Sequence, residues 1–339
     1  MPVLSGQSSP VPGPRRWAIG VIAAIGVALI VLPFVFSMFA RAPKGASMIA
    51  GFRPYMTTAR LDGNQREIRQ INSGVHEATT TAASALASGS GHAAGSLAAR
   101  LPDVAAFGSQ WGPIDTSMTN MLTTIQSNLG NYDAVAALPK FTLFPWFFVI
   151  PGIIVLIIVL IAVVRPRLWS AARWVLIALG IGLILAPVAF QMFSRAPAGG
   201  RMVKAFQTIE TTANVQSIQG DFGTIASGQG AIQLELVPSL RSAGLTDAQI
   251  AARFPGIVRL DNNWVGILND LTPMIGAMSD NVGNYQAVAA LPPFALFPWF
   301  FVLPGLLIGG LAFAAGPRGR RDQPNLVPVR NRPAAEGES

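Results

Sequence analysis

Long apolar stretches without a single charged residue recur four times along the chain. They lie at residues 17–40, 141–164, 174–194 and 294–315. About 20 apolar residues cross a bilayer as a helix, and a run such as IIVLIIVLIAVV has no polar face that could meet water. The pattern therefore predicts an all-α integral membrane protein with four transmembrane helices. Arg15 and Arg16 give the first stretch some likeness to a signal peptide, but it is too long for one and we expect it to remain as a span.

The chain also repeats its own sequence. Residues 128–152 and 281–305 are identical at 20 of 25 positions, and FSMFARAP at 36–43 corresponds to FQMFSRAP at 190–197. The offset between the copies is 154 residues in the earlier part and 153 in the later part. We interpret this as a tandem duplication of one membrane unit with two spans.

The repeat predicts the domain boundaries. Unit 1 covers residues 15–166 and unit 2 covers residues 167–316. The tails at 1–14 and 317–339 are polar and rich in proline, and we expect them to be disordered.

Each unit carries a loop of about 100 residues between its spans, at 41–140 and 195–288. Apolar residues in these loops recur every three or four positions, which is the period of a helix. They are Ile68, Ile71, Val75, Ala78, Ala82 and Leu86, then Ile114, Met118, Met121, Leu122, Ile125, Leu129 and Tyr132, and in unit 2 Ile267, Leu268, Leu271, Ile275, Met278, Val282 and Tyr285. We expect two helical hairpins that pair as a four-helix bundle. The stripes fit its core better than a ligand groove, although helices of another protein could complete the packing.

Breaker residues predict where the hairpins turn. GSGHAAGS at 89–96 reads as the tip of the first hairpin. In the second, Thr246 and Gln249 have the spacing of a capping box that opens a short helix.

The distribution of arginine predicts the topology. The segments outside the loops and spans hold ten arginines and three acidic residues, whereas the two loops are nearly balanced. The positive-inside rule places both termini and the hinge at 165–173 in the cytoplasm, and the large loops outside. With two spans per unit, the copies are parallel about an axis along the membrane normal. We expect a multi-pass protein of a bacterial plasma membrane.

The repeated motif LFPWFFVxPG lies at the predicted outer ends of two spans. Tryptophan suits the headgroup level, and proline kinks a helix. A lipid-facing cleft or mobile gate is one interpretation; a fixed kink with an aromatic anchor is the other, and the sequence favours the latter. The candidate lipid-interface or gate residues are Pro145, Trp146, Pro151, Pro298, Trp299 and Pro304.

Residues typical of catalysis are scarce. The chain has no cysteine, and its two histidines, His76 and His92, lack a zinc-protease spacing. No phosphate-binding loop or dinucleotide fingerprint occurs, and no ionisable residue lies inside a span, where coupled transporters carry them. We therefore predict no enzyme activity and no catalytic, cofactor-binding or metal-binding residue. The net charge of +8 comes from arginines beside the spans, so it predicts no nucleic-acid partner.

These exclusions lead to three functional hypotheses. The favoured one is a scaffold or accessory subunit of a bacterial cell-envelope complex, with helical ectodomains that dock partners. A lipid or small-solute transporter or channel component, working as an oligomer, is the second, and an extracytoplasmic sensor with a separate output partner is the third. The predicted partners are membrane lipids and either other envelope membrane proteins or further copies of the chain. Arginine exceeds lysine, which occurs only three times; this composition is typical of high-GC bacteria such as actinobacteria.

Overall fold

The computed structural model describes residues 14–89 and 97–315. Within these ranges the chain is almost entirely helical and contains no β-strand, which confirms the all-α prediction. The predictions for the two tails and for the hairpin tip at 89–96 fall almost wholly outside the described residues.

Over its described residues, the first half of the chain forms eight α-helices, interrupted by one π-helical segment and one 3₁₀ turn. In order they are α1 (Pro14–Val35), α2 (Met38–Phe52), α3 (Thr58–His76), the π segment (Glu77–Ala82), α4 (Ala83–Gly89), α5 (Leu97–Arg100), α6 (Pro102–Ser127), α7 (Leu129–Ala136), the 3₁₀ turn (Phe141–Leu143) and α8 (Phe144–Val164).

The second half repeats this order with small differences. It comprises a 3₁₀ turn (Pro166–Leu168), α9 (Trp169–Ala189), α10 (Met192–Phe206), α11 (Thr212–Ala231), a π segment (Ile232–Leu236), α12 (Val237–Ser242), α13 (Asp247–Arg253), α14 (Pro255–Ala289), a further 3₁₀ turn (Phe294–Leu296) and α15 (Trp299–Ala314). The capping box at the start of α13 is confirmed, since Thr246 and Gln249 exchange both hydrogen bonds.

Four helical stretches are long and apolar enough to cross a membrane, as the sequence predicts. They cover Arg16–Val35, Phe141–Val164, Pro166–Ala189 and Phe294–Ala314. The first and third end earlier than the apolar runs at 17–40 and 174–194, because a helix break lies inside each run. Composition does not reveal these breaks, since the residues after them are equally uncharged.

Each break is made by one residue in the left-handed backbone region. Ser37 has φ 51° and Gln191 has φ 53°, and the two positions correspond in the repeat. A proline four residues earlier, Pro33 or Pro187, lies in the last turn of the preceding helix. Proline lacks an N–H donor and weakens that turn, and a left-handed residue then redirects the chain. The short helices α2 and α10 start immediately afterwards.

The spans of each half cross at a pair of glycines. A Cβ atom on Gly180 would lie 2.6 Å from the carbonyl oxygen of Gly305 and 3.0 Å from the amide nitrogen of Gly309, so α9 and α15 touch through their backbones. Gly305 and Gly309, four residues apart on α15, thus form the surface that Gly180 of α9 approaches. Gly26 and Gly152 bring α1 and α8 together at the corresponding positions.

Helices α3, α6, α11 and α14 form one four-helix bundle to which both halves contribute. Helix α3 packs against α6 and α14, and α11 packs against the same two helices. The predicted stripes form its core: of the 20 residues, only Leu129, Leu268 and Val282 are not fully buried. Burial of these apolar side chains is what stabilises the bundle.

The short helices α2 and α10 connect the bundle to the spans, and each contacts the opposite half. Helix α2 packs on α14, and α10 packs on α7. Arg41 donates a hydrogen bond to the carbonyl of Ala290 at 2.7 Å, and Arg195 donates one to the carbonyl of Ala137 at 2.9 Å. Each half donates one of these bonds to the corresponding carbonyl of the other half. The two bonds therefore join the halves at two points.

Candidate functional site

A column of phenylalanines lies where the two halves meet. Each half contributes three, and corresponding residues face one another. The ring centroids are 6.4 Å apart for Phe141 and Phe294, 5.9 Å for Phe144 and Phe297, and 4.7 Å for Phe148 and Phe301. Such separations are typical of interacting aromatic pairs. The column starts beside α2 and α10 and continues into the spans.

The predicted interface or gate residues lie next to this column. Trp146 and Trp299 are 48% and 47% exposed, and their rings meet Phe39 and Phe193 edge to face. Each tryptophan thus faces outward and is fixed on one side by an aromatic ring. This arrangement suits a group that anchors a span at the level of lipid headgroups.

The four prolines of the motif are placed in two ways. Pro145 and Pro298 are buried where α8 and α15 begin, positions at which a missing N–H donor costs little. Pro151 and Pro304 lie one to two turns further, inside the helices. None of these prolines or tryptophans lines the cavities described next; the phenylalanines beside them do.

The bundle cavity lies at the base of the four-helix bundle and has a volume of about 40 Å³. Its walls come from α2, α10 and the facing ends of α6, α7 and α14. They are almost wholly apolar and include Met48, Phe52, Met202, Phe206, Met274 and Met278. Methionine side chains are flexible and polarisable, so they adapt to ligands of different shape.

Two smaller apolar cavities lie beyond the bundle cavity, nearer the spans. The middle cavity, of about 20 Å³, is lined by the phenylalanine column and by Met38 and Met192 at the starts of α2 and α10. The span cavity, of about 10 Å³, shares Met38 and Phe297 with it and extends to Leu32 of α1. The three cavities therefore follow α2 and α10 from the bundle into the spans.

Close packing of glycine against aromatic rings separates the middle cavity from the bundle cavity. A Cβ atom on Gly45 would lie 3.2 Å from the ring of Phe141, and one on Gly199 would lie 3.2 Å from the ring of Phe294. The absence of a side chain at these two positions is what leaves room for the rings.

One carboxyl group lines the bundle cavity. Glu210 is 2% exposed, and its Oε2 atom has no hydrogen-bond partner among the described residues. Burial raises the pKa of Glu210 from 4.5 to about 8, because a charged carboxylate is poorly stabilised in apolar surroundings. At neutral pH this side chain is therefore mainly a neutral acid, able to donate one hydrogen bond.

Two of the tyrosines that line the bundle cavity donate their hydroxyl protons to backbone carbonyl groups. Tyr132 donates to the carbonyl of Ile49 and Tyr285 to that of Val203, both at 2.7 Å. The nearby Glu210 carboxyl contributes to a raised pKa of Tyr285, after burial itself. These two bonds join α2 to α7 and α10 to α14. They leave neither tyrosine with a hydroxyl proton to donate into the cavity.

An open groove runs along the outer side of this wall. It lies between α10 and the end of α14, and it shares Val203 and Tyr285 with the bundle cavity. Arg201 and Lys204 stand at its edge. Only one layer of side chains separates the cavity from this groove.

A second acidic group couples the two halves on the bundle. Glu67 of α3 is buried, and its pKa is raised to about 7 by burial and by a hydrogen bond to, and the negative charge of, Asp270 of α14. Arg60 forms an ion pair with the same aspartate and partly offsets the rise. Among the described residues, no group of three or more potential metal ligands occurs.

Comparisons with protein families, with curated proteins and with solved structures gave no match. The cavities and their lining are therefore the features of the protein that bear on its function.

Glu210 is not among the residues predicted from the sequence, and the repeat gives only a weak indication of it. Aligned at the offset of 154, it corresponds to Met56, an apolar residue of the same cavity. At a surface position, a carboxyl group in one copy and an apolar side chain in the other would be an ordinary difference. The difference between Glu210 and Met56 is informative only because Glu210 is buried. The phenylalanines were visible in the repeated motif, but their pairing across the halves was not.

Proposed function

We propose that this chain is a tandem duplication in which two parallel units of two spans support one extracytoplasmic bundle, with both termini in the cytoplasm of a bacterial cell. The near-identical segments of the sequence and the contacts that recur at corresponding positions support the duplication. The excess of arginine in the hinge and tails supports the orientation.

For its function, we propose that the protein binds a lipophilic molecule and passes it between the outer leaflet and the bundle cavity. The observation that supports this most directly is the line of three apolar cavities along the boundary of the two halves. Apolar cavities with few polar groups are typical binding sites for apolar ligands. The span cavity lies among residues of the spans, which lipid chains surround in a bilayer.

Packing of the bundle favours this function over a docking scaffold. A scaffold would offer the apolar stripes of its hairpins to partner helices, but here both sets of stripes are buried against each other. The outer face of the bundle is correspondingly polar, as in a bundle that is complete by itself. The interior cavities are the apolar surfaces that remain for a ligand.

An accessory role in an envelope complex is compatible with lipid binding, since a partner could deliver or receive the ligand. The proposed activity needs no catalytic group, because moving a lipid along an apolar path breaks no covalent bond. The role that we propose is therefore non-enzymatic.

The test is purification of the tagged protein from its native membrane in mild detergent, followed by mass spectrometry of what accompanies it. We expect bound lipid in an amount comparable to the protein. Filling the bundle cavity with Met48→Trp and Met202→Trp should displace this lipid, whereas Val265→Trp, at an exposed position on α14, should not. Stoichiometric partner proteins without lipid would instead support the scaffold hypothesis.

A further inference from the structure

We propose that Glu210 holds the polar end of the bound molecule by donating a hydrogen bond to an uncharged acceptor, such as an ester or amide carbonyl. This inference deepens the lipid-binding function and depends on it. It assigns the ligand class: a long-chain molecule with one neutral acceptor at its end.

The first reason is the unsatisfied Oε2 atom of Glu210. A buried polar atom without a partner costs free energy, and in folded proteins such atoms are few. The described side chains around this carboxyl group are apolar or, like Tyr285, already hydrogen-bonded through their own proton. A ligand group within the cavity would supply the missing partner.

The second reason is the protonation state. Burial keeps the pKa of Glu210 near 8, so the group offers a proton to a ligand at neutral pH. A neutral acceptor takes that proton in a hydrogen bond without creating charge. A lipophilic amine would require two buried ions, whose desolvation offsets much of their attraction. The chemistry of this site therefore favours a neutral carbonyl over an ammonium group.

The third reason is the asymmetry of the cavity. Glu210 and Met56 occupy corresponding positions on opposite sides, so one side is polar and the other apolar. A ligand with one polar end then has a single preferred orientation. Its chain would then point along α10, a helix of 15 residues and thus roughly 20 Å long, towards the rings of Phe141 and Phe294 that separate the bundle cavity from the middle cavity.

The test uses the purified full chain, stripped of lipid in detergent, and a monoacylglycerol that carries a photoreactive diazirine in its acyl chain. We expect light-induced labelling of residues that line the bundle cavity, such as Met202 or Phe206, identified by mass spectrometry. Unlabelled monooleoylglycerol should compete for this labelling, and oleylamine of equal chain length should compete less well.

Three variants separate the hydrogen bond from the cavity. Glu210→Met copies the residue found at position 56 and should weaken monooleoylglycerol binding about tenfold. Glu210→Gln retains an N–H donor and should keep binding within about threefold of the parent protein. Val265→Ala, at an exposed position on α14 outside the cavity, is the control and should leave the affinity unchanged.

The outcomes distinguish the two proposals. If Glu210→Met binds monooleoylglycerol as tightly as the parent protein, the role of Glu210 is wrong and lipid binding remains. Stronger competition by oleylamine that disappears in Glu210→Gln would show an ionic site and overturn the neutral acceptor. Absence of cavity labelling in the parent protein would overturn the proposed function together with this inference.

Discussion

At the scale of single residues, the chain places acidic groups where burial changes their chemistry. Glu210 and Glu67 both have raised pKa values, the first through burial alone and the second through burial and Asp270. Both lie in the bundle or at its base, outside the spans. In the other half, Met56 corresponds to the first, and Asp221, whose pKa is also raised by burial, corresponds to the second.

The raised pKa of Glu210 predicts a pH dependence of stability. In the unfolded chain this group ionises near pH 4.5, and in the folded protein near pH 8. Between these values the folded state binds more protons, so stability falls as pH rises through this window, by up to roughly 5 kcal/mol. Below it the group is protonated in both states and contributes no slope.

The check is the thermal midpoint of the detergent-solubilised protein at about pH 5.5 and about pH 8. The parent protein should lose stability over this interval. Glu210→Gln should lose less, and the remaining slope should come mainly from Glu67. An equal slope in the parent and the Gln variant would contradict the buried position of the carboxyl group.

A second prediction at this scale concerns Glu77, which caps a helix of the other half. Its Oε2 atom accepts hydrogen bonds from the backbone N–H groups of Gly256 and Ile257, at 2.6 and 3.1 Å, in the first turn of α14. A negative charge there also interacts favourably with the helix dipole. Glu77→Ala should lower the free energy of unfolding by about 1–2 kcal/mol.

Chemical denaturation of the purified protein measures this effect. Glu77→Gln, which keeps an acceptor oxygen and loses the charge, should fall between Ala and the parent. If both variants unfold like the parent protein, the cap does not stabilise the join between the halves.

At the scale of elements, the same interruptions recur in both halves. A left-handed residue, Ser37 or Gln191, separates each first span from a short helix. A π-helical segment, Glu77–Ala82 or Ile232–Leu236, follows each first bundle helix. An extra residue in a helical turn shifts the apolar stripe around the helix axis. The repeated placement of these features shows how similarly the two halves are built.

The crossing of α9 and α15 gives a prediction with a control on the same helix. Gly180 is in contact with the backbone of Gly305, whereas a Cβ atom on Gly182 would meet nothing within 4 Å. Gly180→Ala should therefore force the two spans apart and cost about 1–3 kcal/mol. Gly182→Ala should be neutral or slightly stabilising, because alanine favours helix over glycine.

The stability of both variants can be measured by unfolding them in mixed micelles with an increasing fraction of a denaturing detergent. Equal stability of the two would mean that α9 and α15 do not approach closely in the membrane protein.

At the scale of the whole molecule, the open question is its orientation. The absence of native cysteine allows single cysteines to report on it. With the hinge in the cytoplasm, a cysteine at Ala171 should react with a membrane-impermeant maleimide only after the cells are opened. A cysteine at Asn262, on the exposed surface of the bundle, should react in intact cells.

Labelling of position 171 from outside would reverse the proposed topology. It would also place the bundle cavity in the cytoplasm, so the lipid would enter from the inner leaflet. The labelling experiment therefore tests the direction of the proposed function independently of the ligand.

The sequence by itself determined the features that follow from local pattern. Uncharged runs of sufficient length gave the four candidate spans, because an α-helix satisfies its own backbone hydrogen bonds in lipid. The three-to-four residue spacing gave the helical bundle and most of its core, such as Ile71 and Met118, since a helix buries one face. Thr246 and Gln249 gave a helix start through bonds between residues close in the chain.

Only the tertiary structure decided the features that depend on contacts between distant residues. The breaks at Ser37 and Gln191 lie within uncharged sequence, where Pro33 and Pro187 indicate a weakened turn but no local pattern fixes the residue at which the chain changes direction. The partner of Gly305 on α9, the pairing of the phenylalanines and the burial of Glu210 all arise where the two halves meet. A carboxyl group becomes a neutral donor because of the side chains around it, and these come from positions as far apart in the chain as Met48 and Tyr285.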